Sequence, residues 1–281
     1  MPRASRSVYQ TDFTTILRPV IDPLSYLLAR RASAPLVLMY HAVQSSSPDW
    51  PWAVSLDQLL AQLDLLRDLG WRTATVGELF AVGSLPPRTI VLTFDDGYAN
   101  TWPVLEALVQ RDQRATWFVV TRWLGTYAGW VHSGKAPRLL LTTHQLRDLD
   151  QGGMEIGAHG RHHWRLPEID DITLQEELSG SKAELEDHLG CEVTSFAYPY
   201  GHHDDRVVAA TAQAGFHSAC TVRSGHLQPG GDWLRIPRVG IFAQDSLATF
   251  ARKLALAQHA VPWGGLVRQL LGHSSSINPP Y

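Results

Sequence analysis

The chain has 281 residues, 44% hydrophobic and 18% charged, and 24 Lys and Arg against 27 Asp and Glu leave a formal net charge of −3. That balance describes a globular protein with a sizeable core and speaks against a general nucleic-acid-binding surface. Two cysteines, Cys191 and Cys220, are too few for a disulfide framework, and no stretch reaches the roughly 18 apolar residues of a transmembrane helix.

Residues 1–34 read as an N-terminal extension with a helix around residues 25–31 packing on the domain. The segment is basic but has no uninterrupted apolar core of signal-peptide type, because Asp12, Arg18, Pro19, Asp22 and Pro23 break it up. An amphipathic contact with a membrane surface is the alternative, and membrane association is not the expectation. Without an export signal the expected location is cytoplasmic, which suits two reduced, buried thiols.

From Pro35 the text alternates apolar runs with helical periodicity. "PLVLMYHAV" reads as a strand, "SLDQLLAQLDLLRDLG" as an amphipathic helix, and "WRTATV" and "RTIVLTF" as strands. "NTWPVLEALVQR" is then a helix, "ATWFVV" a strand and residues 125–137 a loop. "TTHQLRDLDQGG" reads as a helix, "MEIGA" as a strand and "TLQEELSGSKAELEDHLG" as a helix. Strand "TSFAYP", helix "DRVVAATAQAG", strands "FHSACTV" and "LRIPRVGI", and a helix over residues 247–256 complete the series. The expected domain covers residues 35–258, and 259–281 form a C-terminal tail.

About seven or eight β-then-α steps with apolar strands argue for a parallel α/β sheet, and closure into a barrel suits the count better than an open sheet. A barrel gathers its active site at the C-terminal strand ends. Four polar clusters fall there: His41, the pair Asp95 and Asp96, His159, and Tyr200 with Gly201. Side chains alternate along a strand, so Asp95 and Asp96 cannot both point the same way. In "GAHGRHHW", His159 and His163 are separated by Gly160, so a tight turn is expected instead of a helix, and it can still converge both imidazoles on one ion. Two histidines and one carboxylate leave an open position on Zn²⁺ or a similar divalent ion, the catalytic pattern. The other aspartate is then free to act as general base on the attacking water. Each element alone has a plain explanation: an aspartate pair is usually a loop exit, and a histidine pair is usually solvated surface. Their joint placement is what carries weight. His162 is expected to point away from its neighbours, and Asp204 to cap the next helix.

"TFDDG", "GAHGRHH" and "FAYPYG", in that order over about residues 35–241, resemble the polysaccharide deacetylases of the NodB type, carbohydrate esterase family 4. "LVLMYHAV" and "LRIPRVGI" are similar to the branch acting on extracellular or biofilm glycans. The resemblance implies a distorted (β/α)7 barrel, a metal held by Asp96, His159 and His163, and Asp95 as the general base. Zinc is the first choice of metal, with cobalt or nickel as alternatives. It also implies that Pro199 and Tyr200 bind substrate, the Tyr200 N–H helping to stabilise the oxyanion. Two positions depart from the family pattern. An arginine that orients the base is replaced by Ala197, and Arg235 or Arg238 is the expected substitute. No equivalent is recognised for the late Leu-x-x-His element that supplies a general acid: "LLGH", ending at His273, reads as a helix end. His41 is the candidate for a supporting role or for protonating the leaving amine. Trp130 and Trp164 lie in loop text near the mouth and are expected to stack on a sugar.

The leading expectation is a metal-dependent hydrolase that removes N-acetyl groups from N-acetylhexosamine units of a glycan or glycoconjugate, releasing acetate. The same site would also suit a deformylase or amidase on a small or lipid-linked substrate, which the lack of an export signal favours slightly. A third expectation is a catalytically weak glycan-binding protein that kept the pocket but lost the acid and the orienting arginine. Sugar, chain length and oligomeric state are not legible.

Overall fold

The computed structural model describes residues 21–262 except 46, 47, 49, 84, 85, 132–135 and 229. Most of the expected extension, the end of the tail and His273 therefore lie outside the described residues. Helix α1 (Pro23–Arg31) starts where Asp22 accepts from the Ser25 N–H and Pro23 sits in the first turn, both favourable at a helix start. Strands β1 (Leu36–Tyr40), β2 (Ala42–Gln44) and β3 (Ala53–Ser55) lead into α2 (Leu56–Asp68), capped by Ser55. Strand β4 (Arg72–Ala74), helix α3 (Val76–Val82), strand β5 (Thr89–Phe94) and helix α4 (Val104–Val109) follow. Next come β6 (Thr116–Val119), α5 (Thr143–Gln151), β7 (Glu155–Ala158) and α6 (Asp171–Leu189). Strand β8 (Ser195–Ala197), α7 (Asp205–Gln213), β9 (Ser218–Cys220), β10 (Val239–Gly240) and α8 (Leu247–Leu256) close the series.

All described strand pairs in the main sheet are parallel, in the order β10-β1-β5-β6-β7-β8-β9, with β4 also on β5. This is the distorted (β/α) barrel, and two features account for the distortion. One edge of β5 is shared, with β4 against Thr89, Ile90 and Val91 and β6 against Thr93 and Phe94. Closure falls to residues 236–240: Ile236 bridges Cys220 of β9, while Val239 and Gly240 pair with β1. The expected single strand "LRIPRVGI" is thus two residues of β10 and an isolated bridge. Pro237 has no N–H to donate and its ring fixes φ, so the ladder breaks there and the chain steps from one neighbour to the other.

Helix α3 has no counterpart in the sequence reading, although "TVGE" spells its cap: Thr75 and Glu78 form a reciprocal capping box. The expected helix over "NTWPVLEALVQR" shortens to α4 behind a 3-10 turn, because Pro103 can begin a helix but cannot sit within one. Between β1 and the outer helices, Phe94 stacks on Tyr40 at 5.3 Å and on Trp117 at 4.6 Å between centroids. Helix α1 packs on α8, where Arg252 donates to the Ser25 hydroxyl at 2.9 Å. Both cysteines are free, but only Cys220 is buried; Cys191 is exposed. No described helix is long and apolar enough to cross a membrane.

Candidate active site

The floor of the site is built where β5 ends. The Asp95 N–H still donates to the Tyr40 carbonyl at 2.9 Å, so Asp95 keeps strand geometry and its side chain enters the barrel. Asp96 then adopts φ 72 and Gly97 φ 75. Aspartate tolerates this left-handed region better than most residues. Gly97 is required there, since a Cβ would lie 3.0 Å from Val119 Cγ1. The chain reversal turns the Asp96 carboxyl away from that of Asp95.

Asp95 meets Arg238 in a two-point ion pair, Nη1 to Oδ1 at 2.6 Å and Nη2 to Oδ2 at 2.7 Å. Arg238 is fully buried and also donates to the Thr93 hydroxyl at 3.0 Å and the Thr221 carbonyl at 2.9 Å. Burial pushes the Asp95 pKa up, but the Arg238 charge and its hydrogen bonds together outweigh it and hold the carboxyl below its ordinary range. Of the two arginines expected near Asp95, Arg238 is the one that meets it. Arg235 does not: it faces outward and pairs with Asp232 and Asp205, each at 2.5 Å, as its odd spacing of three residues from Arg238 on extended chain requires.

Asp96 Oδ1 lies 3.4 Å from His159 Nε2 and 3.2 Å from His163 Nε2. His159 follows β7 and donates from Nδ1 to the Ala197 carbonyl at 2.7 Å, which fixes its tautomer and leaves the Nε2 lone pair toward Asp96. His163 is brought back to the same point by a turn in which Gly160 has φ 74 and His163 φ 62. Burial lowers the His163 pKa against the opposing pull of Asp96. Burial also raises the Asp96 pKa, yet the two histidines outweigh it and keep the carboxyl well down. One ligand atom from each of the three residues falls within 4.8 Å of the others, all buried. Two imidazole nitrogens and a carboxylate oxygen suit a divalent ion of the Zn²⁺, Co²⁺ or Ni²⁺ kind, so the residues present fit a metal.

These groups line a cavity of about 340 Å³ that also receives His41, Trp50, Trp130 and Tyr200. All four strand-end clusters named from the sequence thus meet at one mouth. His41 is wedged between Trp52 and Trp50, at 4.5 and 6.0 Å between centroids, and its buried Nδ1 has no protein partner. Burial lowers its pKa, with Asp96 and Asp95 pulling the other way. Trp130 lies against the His163 ring at 4.5 Å. Tyr200 holds φ 57, an uncommon conformation for a bulky residue, with its ring 4.3 Å from that of His163 and under the Arg165 guanidinium.

Two expected contacts fall elsewhere. Trp164 is 44% exposed and stacks on His162 at 4.5 Å, because the left-handed turn at His163 aims that residue inward and its two neighbours outward. Pro199 is buried beside Gly160 and does not line the cavity; its ring shapes the turn that carries Tyr200. Asp204 caps α7 as expected, accepting from the Val207 N–H at 2.8 Å.

The family profile described as polysaccharide deacetylase matches residues 83–219, a span that includes both the aspartate pair and the histidine turn. Over that span the chain is similar to the polysaccharide deacetylase family. YxkH of Bacillus subtilis (strain 168) is 24% identical over 233 residues, covering 80% of this chain and 77% of that protein. The poly-beta-1,6-N-acetyl-D-glucosamine N-deacetylase of Escherichia coli (strain K12) is 25% identical over 275 residues, covering 81% of this chain but only 39% of the longer relative. The crystal structure of BC0361, a polysaccharide deacetylase from Bacillus cereus, superposes with a TM-score of 0.67 at 26% identity, over 79% of this chain and 69% of that one.

With the family in view, one element passed over in the sequence comes to light. Leu256 and His259 spell Leu-x-x-His in "LAQH". The structure commits both His259 ring nitrogens to the backbone: Nδ1 accepts from the Gly240 N–H at 2.9 Å and Nε2 donates to the Val222 carbonyl at 2.7 Å. His259 ties the end of α8 to the closing strand and does not line the cavity. Of the described histidines, His41 is the one in the cavity that is neither grouped with Asp96 nor bonded through Nδ1.

Proposed function

We propose that this protein removes the N-acetyl group from N-acetylhexosamine units of a glycan or glycoconjugate, and that Asp96, His159 and His163 hold a divalent metal, zinc first. The observation that carries the reading is the split between two adjacent carboxylates in one cavity, Asp96 against two histidines and Asp95 clamped by an arginine. The named substrate of the E. coli relative supports the choice of N-acetylated sugar.

A divalent ion on these three donors would act as a Lewis acid toward the acetyl carbonyl and ease deprotonation of the attacking water. Asp95 takes the proton from that water as its oxygen attacks the acetyl carbon. Arg238 engages both carboxyl oxygens and so fixes the direction in which Asp95 can accept. The Tyr200 N–H donates to the carbonyl oxygen as it gains negative charge. The proton taken by Asp95 passes by way of His41 to the departing nitrogen as the C–N bond breaks, leaving a free amine and acetic acid, which ionises to acetate. Trp130 and Trp50 supply apolar faces for the sugar ring. The Arg238–Asp95 pair speaks against a catalytically weak binding protein.

The test is acyl release by zinc-loaded full-length protein on N-acetylglucosamine oligomers, beside N-formyl and lipid-linked analogues. Acetate from the N-acetylated sugars is expected. Protein with one tightly held metal per chain that releases no acyl group from any of them would overturn the reading.

A further inference from the structure

We propose that Glu177 is a positioning residue for the metal-binding turn, setting the placement of His159 and His163 from the side opposite the cavity; this rests on reading those histidines as ligands. Glu177 lies on the core-facing stripe of α6 with Leu174, Leu178, Ser181 and Leu185, and only 1% of it is exposed. A carboxyl group in such a position is costly unless every oxygen is satisfied. Here its partners all come from the residues between the two histidines. Oε2 accepts from the Arg161 N–H at 2.9 Å and the His162 N–H at 3.0 Å, and Oε1 accepts from His162 Nδ1 at 2.5 Å.

The contact demands Gly160, where a Cβ would come 3.1 Å from Oε2 in a backbone already at φ 74. Two turns along the same helix, Glu184 receives Arg161 Nε at 2.9 Å and also bonds the Thr121 hydroxyl. The Gly160 and Arg161 carbonyls accept from the Thr121 and Arg122 N–H groups. Helix α6 and the segment after β6 thus hold the turn between them. That grip offsets the strain of His163 at φ 62, a conformation that persists only where surroundings over-determine it. It also accounts for His162 and Trp164, which face α6 and solvent instead of the metal site.

Partners one shell behind a metal ligand typically change metal affinity about 10- to 100-fold. The experiment titrates the metal-free full chain with Co²⁺, reading affinity and the visible absorption band, for wild type, Glu177→Gln and Glu177→Leu, with thermal melting as the fold control. Glu177→Leu is expected to bind roughly tenfold or more weakly with an altered band. Glu177→Gln keeps an amide oxygen for both backbone N–H groups and is expected within about threefold of wild type. Should the leucine variant not fold, His162→Ala removes one donor from the carboxyl group and is expected to weaken Co²⁺ several-fold. Unchanged affinity and band in both Glu177→Leu and His162→Ala, with wild type binding normally, would overturn the inference and leave the metal reading standing. Wild type that binds no Co²⁺ would overturn the metal reading itself, and this inference with it.

Discussion

Arg238 grips both oxygens of Asp95 across 143 residues of sequence, at 2.6 and 2.7 Å, with neither side chain open to solvent. The pair joins the end of β5 to the strand that closes the barrel. Breaking a buried ion pair by removing one partner leaves an uncompensated charge, at a cost of about 3–5 kcal/mol. The same removal leaves the proposed base free to rotate.

Arg238→Ala is accordingly expected to lower kcat about 100-fold or more and to lower the melting temperature, whereas Arg238→Lys keeps the charge, loses the fork and falls between. Arg235→Ala, whose partners are exposed carboxylates, is expected to leave kcat within about twofold. Steady-state kinetics beside thermal melts read both effects. A fully active, folded Arg238→Ala would remove the arginine from the reaction.

The two aspartates are expected to fail differently. Asp96→Asn should lose most bound metal, while Asp95→Asn should keep about one ion per chain and lose kcat by roughly 10²–10⁴. Elemental analysis of dialysed protein, with the His159→Ala/His163→Ala double variant as the metal-free reference, separates the two. Equal metal content in all three would place the ion elsewhere.

At the mouth, Trp130→Ala is expected to raise KM roughly five- to tenfold, equivalent to about 1–1.4 kcal/mol, because it removes an apolar face beside His163. Trp164→Ala, outside the cavity, should leave KM within about twofold. His41→Ala should lower kcat with little change in KM, as expected for a group whose proton moves only in the transition state. The discriminating measurement is the split between kcat and KM on one acetylated oligomer.

His259 sets a pH dependence of stability. Burial pushes its pKa down to about 4 from the usual 6.5, with the bond to the Val222 carbonyl opposing. Between those values the unfolded chain holds a proton that the folded chain does not, so stability rises with pH across the window and levels off above 6.5. A shift of that size corresponds to a contribution on the order of 3 kcal/mol, absent near pH 4 and complete near pH 7. Urea midpoints of metal-free protein should climb over this range, and His259→Gln, whose amide can reproduce both bonds without titrating, should flatten the climb. An identical slope in the variant would assign the effect to other groups.

The strand ends were the legible part of the chain. Apolar runs such as "TIVLTF" followed by polar text mark a parallel barrel, because strands buried on both faces must be apolar throughout while their C-terminal ends need not be. That is why the aspartate pair, the histidine turn, His41 and Tyr200 could be named together. Trp164 was misplaced because the left-handed His163 just before it turns its side chain out of the cavity, a backbone angle that residue type does not spell; Pro199 was misplaced because its ring packs beside Gly160, a contact between segments far apart in sequence. "LAQH" escaped because it ends a helix, and Glu177 because an acid in a helix reads as surface unless its register on the apolar stripe is checked.

Composition, periodicity and motif order determined the fold class and the metal-ligand candidates, since these follow from local burial patterns that each segment carries in itself. Only tertiary structure decided which arginine meets Asp95, which histidines are tied to backbone, and which aromatics face the cavity. Those outcomes depend on contacts between segments far apart in sequence, such as Asp95 with Arg238 and Gly240 with His259, which no local pattern encodes.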